Sequence, residues 1–222
     1  MANITFKEIR ESEEIQTYIK RADLSLERMG FTEHSFPHVS KASKVAGDLL
    51  YELGYSTHIV DLTRIAGYMH DIGNVVNRVD HAQSGAIMSF RILDNMGMAS
   101  ADIAKVISAI GNHDESTACP VNEVAAALII ADKTDVRRSR VRKNVDHSQM
   151  DIHDRVNYAV IENSISFSKE EKTFTLRLTI DTAISPVLEY FEIFLTRMKL
   201  CCKAAEYLGL DFRLFINDTE IC

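Results

Sequence analysis

The residues of this 222-residue chain whose types could do chemistry together are His38, His70, Asp71 and Asp132. Imidazole nitrogens combined with carboxylate oxygens suit Mn, Fe, Co, Ni or Zn, whereas a Mg or Ca site is richer in carboxylates and water. Adjacent His70 and Asp71 cannot share one helix face, yet both can reach one ion where a helix ends. Asp132 follows the wholly apolar run Val124–Ala131, so it belongs to a helix that is apolar nearly all round and therefore buried. A buried carboxylate costs several kcal/mol unless it meets a cation or a set of donors. That cation could be a metal ion or an arginine such as Arg64. His81 and His113 lie between the His-Asp pair and Asp132. Each histidine alone reads as a hydrogen-bonded packing residue; the set together reads as a metal site.

The order His38, His70-Asp71, Asp132 resembles the HD-domain metal-dependent phosphohydrolases, over residues 33–142, about half the chain. The resemblance implies that these four residues bind one divalent ion. In family members with two metals, histidines in the interval occupied here by His81 and His113 add the second. Asp71 would then bridge the ions, which could be Mn, Fe, Co, Ni, Zn or Mg. Two ions can activate a water and neutralise phosphoryl oxygens, the chemistry that phosphoester or phosphoanhydride hydrolysis needs. The implied substrate is a nucleotide or related small phosphorylated molecule; the alternative is a metal- and nucleotide-binding regulatory module with little turnover. Departures from the HD-GYP group are Asn74 where a lysine is typical, Asn112-His113-Asp114, and the lack of a Gly-Tyr-Pro. They disfavour a cyclic di-GMP phosphodiesterase and leave Asn112 or Asp114 to complete the second site, or leave that site short of a ligand.

Around this set stand weaker candidates. Lys41, one helical turn from His38, could reach the same mouth as a catalytic base-rich neighbour or simply be solvated. Asp135, one turn after Asp132, could orient a ligand. Lys133, Arg137, Arg138, Arg140, Arg142 and Lys143 crowd the end of the Asp132 helix. Basic residues favour helix C-termini, but Arg137, Arg138 and Arg140 could also form a phosphate-binding rim. Pro37 argues against His34 as a ligand, and His58, His147 and His153 read as surface or packing residues.

The positioning elements follow from period and punctuation. Thr5-Phe6-Lys7-Glu8 has capping-box form and opens a helical stretch to about Met29. Pro37 precedes a helix with Val39, Ala42, Val45, Ala46, Leu49 and Leu50 on one face, placing His38 on its first turn. Thr57 caps the next, which closes at His70-Asp71; Asp80-His81-Ala82-Gln83, again of capping-box form, opens another to Met96. Ser100 caps a helix to Gly111, and Asn122 opens the buried one from Glu123 to about Val136. This succession reads as an all-α bundle over residues 1–158. From 159 the period changes to alternation, with Phe174, Leu176, Leu178 and Ile180 forming half of a β-hairpin. Ser185-Pro186 starts a long helix to Leu208, and Phe212, Leu214 and Ile216 suggest a last strand. The expected fold is mainly α, an HD-type helical bundle followed by a small β-β-α-β unit. The long helix carries more apolar residues than one partner needs, which points to contact with the helical domain or a homodimer.

A formal charge of −7 argues against a general nucleic-acid binder. No secretory signal is visible, and the longest apolar run is far short of the ~20 residues of a membrane span. Four cysteines without a C-x-x-C pair fit reduced thiols in a cytoplasmic protein.

Overall fold

The computed structural model describes residues 4–142 and 150–222, so Lys143 and His147 lie outside the described residues. The expected capping box is present: Thr5 accepts from Glu8 N, Glu8 returns to Thr5 N, and α1 (Phe6–Glu11) follows. The single helix expected to Met29 is instead broken at Ser12. Its extended backbone ends α1, and its hydroxyl caps α2 (Glu13–Arg28). Helix α3 (Phe36–Glu52) carries Pro37 in its first turn, where a missing N–H costs nothing.

Three caps differ from expectation. Ser56 rather than Thr57 caps α4 (Thr57–Met69), accepting from Ile59 N. Asp80, before α5 (His81–Asn95), has φ 57 and makes no side-chain cap, because a capping side chain needs the extended backbone of an N-cap. Ala99 occupies the N-cap of α6 (Ser100–Gly111), leaving Ser100 inside the helix. Asn122 does cap α7 (Glu123–Lys133), which stops three residues before Val136. A short helix that the sequence did not reveal, α8 (Ile152–Ala159), is capped by Asp151.

The C-terminal part is built as β1 (Val160–Ser168), β2 (Thr173–Ile180), α9 (Val187–Tyr207), β3 (Asp211–Ile216) and a short β4 (Thr219–Glu220). Strand order is β1-β2-β3-β4: a hairpin, then β3 parallel to β2 after the α9 crossover, then β4 antiparallel. The β-β-α-β order thus gains one strand. Pro186 takes the N-cap position of α9, and the Ser185 hydroxyl bonds Glu189 instead of capping.

Helix α7 explains why its sequence is apolar all round. Val124, Ala125 and Leu128 face a cluster made with α1, α2 and α4–α6. Ala126, Ala127, Ile129, Ile130 and Ala131 face a second cluster shared with α3, α8, α9 and the sheet. Helix α9 packs on α7 and β3; Leu200 is buried while Leu188 and Leu195 stay exposed. The helical domain is therefore its second partner within the chain. Among the described residues no helix is long and apolar enough to cross a membrane.

Two glycines set the approach of the helices that matter. A Cβ on Gly67 would stand 2.7 Å from Ser43 Cα, so α3 and α4 could not lie as close. A Cβ on Gly73 would stand 2.0 Å from His81 O and 2.4 Å from Gly85 N. Only glycine lets the start of α5 sit on the 3-10 turn Ile72–Val75 that follows Asp71.

Candidate metal centre

Six side chains from different helix ends converge. His38 comes from the first turn of α3, His70 from the C-cap of α4, and Asp71 from the residue after it. His81 opens α5, His113 follows α6, and Asp132 lies in the last turn of α7. His38 Nε2 stands 3.3 Å from His70 Nε2, 3.5 Å from Asp71 Oδ2 and 3.3 Å from Asp132 Oδ1. His70 Nε2 is 3.3 Å from Asp71 Oδ2 and 3.7 Å from Asp132 Oδ1. Ligand atoms about 2.1 Å from one ion stand roughly 3.0–3.4 Å apart in octahedral or tetrahedral geometry, so these four can share an ion. The other oxygen of Asp71 begins a second set. His81 Nε2 lies 3.5 Å and His113 Nε2 3.9 Å from Asp71 Oδ1, with 3.2 Å between the two nitrogens. Among the described residues, three overlapping groups of His and Asp ligand atoms result, each within 4.8 Å.

The tautomers decide whether a cation fits. His70 Nδ1 donates to Gly67 O at 2.9 Å, His81 Nδ1 to Arg78 O at 3.0 Å and His113 Nδ1 to Ile110 O at 2.6 Å. His38 Nδ1 donates to Asp135 Oδ2 at 2.8 Å. Carbonyl and carboxylate oxygens only accept, so each Nδ1 carries a proton and each Nε2 is left to face the cluster, free for a metal ion or a second proton. Lone pairs 3.2–3.3 Å apart repel unless a proton or a metal ion sits between them. The residues fit an N/O-ligated divalent ion.

Charge reinforces this. Burial opposes protonation of His70, but Asp71 and Asp132 outweigh it and carry the pKa up to about 10. Burial, helped by His70 and Lys133, pushes His113 down to about 3. Burial works against ionised Asp71, yet His70 holds it well below the usual carboxylate range. Asp132, also opposed by burial, is held low by Lys133 at 2.7 Å and by His38 and His70. Arg64, the alternative partner for Asp132, pairs with Asp48 instead.

The remaining candidates fall behind or away from the cluster. Asp135 stands behind His38 and is held by Lys41 at 3.0 Å and Arg137 at 2.9 Å. Lys41 is thus tied to Asp135 and does not line the cavity beside the cluster. That cavity, of roughly 350 Å³, corrects the expected basic rim. Arg137 is taken up by Asp135, Glu33 and Ser139, and Arg138 bonds Tyr158 O and lies over its ring, so neither reaches the cavity. Arg140 alone of the three lines it, anchored on Glu33 O and Asp135 O.

Residues beyond the sequence reading complete the walls. Asn74 donates to Asp71 Oδ1 and Asp71 O, both at 2.9 Å, so the residue that stands where lysine was expected supplies a clamp on the Asp71 carboxylate. Arg78, over Phe31, bonds Asn74 and stands 3.4 Å from His81 Nε2. Arg197 of α9 pairs with Glu115 and lies 4.4 Å over Phe194, bringing the C-terminal unit into the cavity. His34 also lines it, with Nδ1 on Thr32 O at 2.7 Å and a ring against His38. Pro37 keeps His34 out of α3 yet not out of the site. His153 lies at the cavity edge, while His58 pairs with Asp102 on the surface. Asn112 turns to Ser108 O, whereas Asp114 Oδ1 is 3.9 Å from His81 Nε2. Only charge could have flagged Arg78, in a loop, and Arg197, in α9, because no motif contains them.

No family model matches the sequence. The chain is 24% identical over 197 residues to the uncharacterized protein MJ1020 of Methanocaldococcus jannaschii, covering 79% of this chain and 75% of the relative.

Proposed function

We propose that this protein is a metal-dependent phosphohydrolase of the HD type, cleaving a phosphoester or phosphoanhydride of a small molecule such as a nucleotide. The observation that supports it is the division of one carboxylate: Asp71 Oδ2 faces His38 and His70 while Asp71 Oδ1 faces His81 and His113. A carboxylate divided in this way would serve two ions together, as two-metal displacement chemistry requires. Bound there, divalent ions supply Lewis acidity toward the phosphoryl oxygens and a water nucleophile at neutral pH. His38, His70 and Asp132 would hold the first ion, His81 and His113 the second. Asn74 and Asp135 fix the orientation of Asp71 and His38. Arg140 and Lys133 place positive charge on the cavity wall, where phosphoryl oxygens would lie.

Metal analysis of protein purified without chelator, then a phosphoester panel with added Mn²⁺, tests the proposal. Expected are bound transition metal and turnover that a chelator abolishes. Metal without turnover on any phosphoester would assign the site to a regulatory binding module.

A further inference from the structure

Asp154, in the first turn of α8, is only 7% exposed, and that exposure opens into the same cavity as the metal cluster. Its backbone N–H is taken by Asp151 Oδ1 at 2.8 Å. Its carboxylate has neither a hydrogen-bond donor nor an ion-pair partner among the described residues. The nearby basic side chains are engaged elsewhere: His153 Nδ1 is 3.7 Å from Asp151, and Arg142 bonds Asp23 and the carbonyls of Phe31 and Thr32. Burial and the like charge of Asp151 hold its pKa above the ordinary carboxylate value.

No described residue donates to this carboxylate, and the helix is already capped by Asp151. An acceptor that faces a cavity without a donor from the protein is left to bond what occupies that cavity. The donor must come from what enters the cavity. An acceptor-only group repels phosphate, so the phosphoryl end of a substrate belongs with Arg140, Lys133 and the metal ligands. The organic end is left to face Asp154. Resting on the phosphohydrolase reading above, we propose that Asp154 is a specificity-determining residue. It accepts a hydrogen bond from a hydroxyl or amine on the organic part of the substrate. The substrate class is then a hydroxyl- or amine-bearing phosphoester, of the sugar phosphate or nucleotide kind, and not a simple aryl or alkyl phosphate.

The test compares wild type with Asp154→Ala and Asp154→Asn, with Mn²⁺ present, on ribose 5-phosphate, adenosine 5′-monophosphate and phenyl phosphate. Losing a hydrogen bond to a charged group corresponds to roughly 10–100-fold. For Asp154→Ala, kcat/KM for the better of the two donor-bearing probes, divided by that for phenyl phosphate, should fall at least about tenfold, chiefly through KM. Asp154→Asn, which keeps an acceptor oxygen, should fall between. A ratio unchanged in Asp154→Ala overturns the proposal while leaving the hydrolase reading intact. If no probe is turned over, hydrolysis of phosphomonoesters is excluded, and calorimetric binding of the same probes decides. A tenfold loss of affinity for a donor-bearing probe in Asp154→Ala supports the role of Asp154; no loss, or no binding by wild type, overturns it. Thermal melting separates a structural role. Removing an unpartnered carboxylate should leave Tm unchanged or raised, and a fall of several degrees overturns the proposal.

Discussion

At one oxygen of Asp71 two imidazoles meet a second carboxylate, Asp132, with a third, Asp135, behind one ring. At the other oxygen two imidazoles meet no further carboxylate at ligand distance among the described residues; Asp114 is 3.9 Å from His81, and Arg78 already donates toward the same nitrogen. Both half-sites present two histidine Nε2 atoms to one oxygen of Asp71, yet they differ in further ligands and in charge. The first is rich in negative charge and holds His70 up at about 10, whereas the second is nearly neutral and holds His113 down at about 3. The extra carboxylate of Asp132 and the electrostatics both rank the first as the tighter cation site.

The largest effect should come from the group they share. Asp71→Ala should remove both ions and lower kcat by roughly 10³-fold or more, since groups acting as a unit fail together. Metal analysis beside a phosphoester assay checks this, and a variant that retains two ions would break the bridging picture. Next in size is the asymmetry itself. His113→Ala should reduce stoichiometry from two ions toward one with the fold intact, whereas His38→Ala should weaken the first ion. If His113→Ala and His38→Ala lose metal equally, the ranking by charge is wrong.

The contrast also shows what the sequence could reveal. His38, His70, Asp71 and Asp132 were legible because their order carries a motif and because α7 is apolar all round, making Asp132 anomalous. The bundle and the hairpin were legible from period. Helix α8 was not, as its eight residues Ile152–Ala159 mix polar and apolar side chains without a clear stripe. The basic cluster misled because charge along the chain says nothing of direction: Arg137 and Arg138 turn to Asp135, Glu33 and Tyr158. Arg78 and Arg197 reach the cavity from a loop and from α9, a convergence that depends on how Gly73 and α7 bring those elements together. Asn74 looked like a defect in the motif and proves to hold Asp71.

A smaller effect tests the support behind one half-site. Asp135→Asn keeps the side-chain shape and removes the charge that orients His38. Affinity for the first ion should fall about 10–100-fold, the usual range for such partners, while the second ion is unaffected. Competition with a chelating dye would measure it, and an equal loss at both ions would mean that Asp135 acts through the fold.

The smallest effect is read in protons. His70, with its pKa at about 10, is protonated at neutral pH when no ion is bound, so an ion entering the first half-site must expel that proton. His113 is already neutral at any pH well above about 3, so the second half-site releases none from that ring. Affinity at the first should therefore rise about tenfold from pH 7 to 8, and at the second hardly change. The same raised pKa sets the sign for the metal-free fold. The stability that protonated His70 contributes is fully present below its unfolded value near 6.5 and is lost as pH rises through about 10. Metal-free protein should thus melt at falling temperature between those limits, and Mn²⁺ should flatten the trend by replacing the proton. Calorimetry in buffers of different ionisation heat counts the protons directly. One proton for the first ion and none for the second is expected; equal release by both would erase the electrostatic difference between the two half-sites.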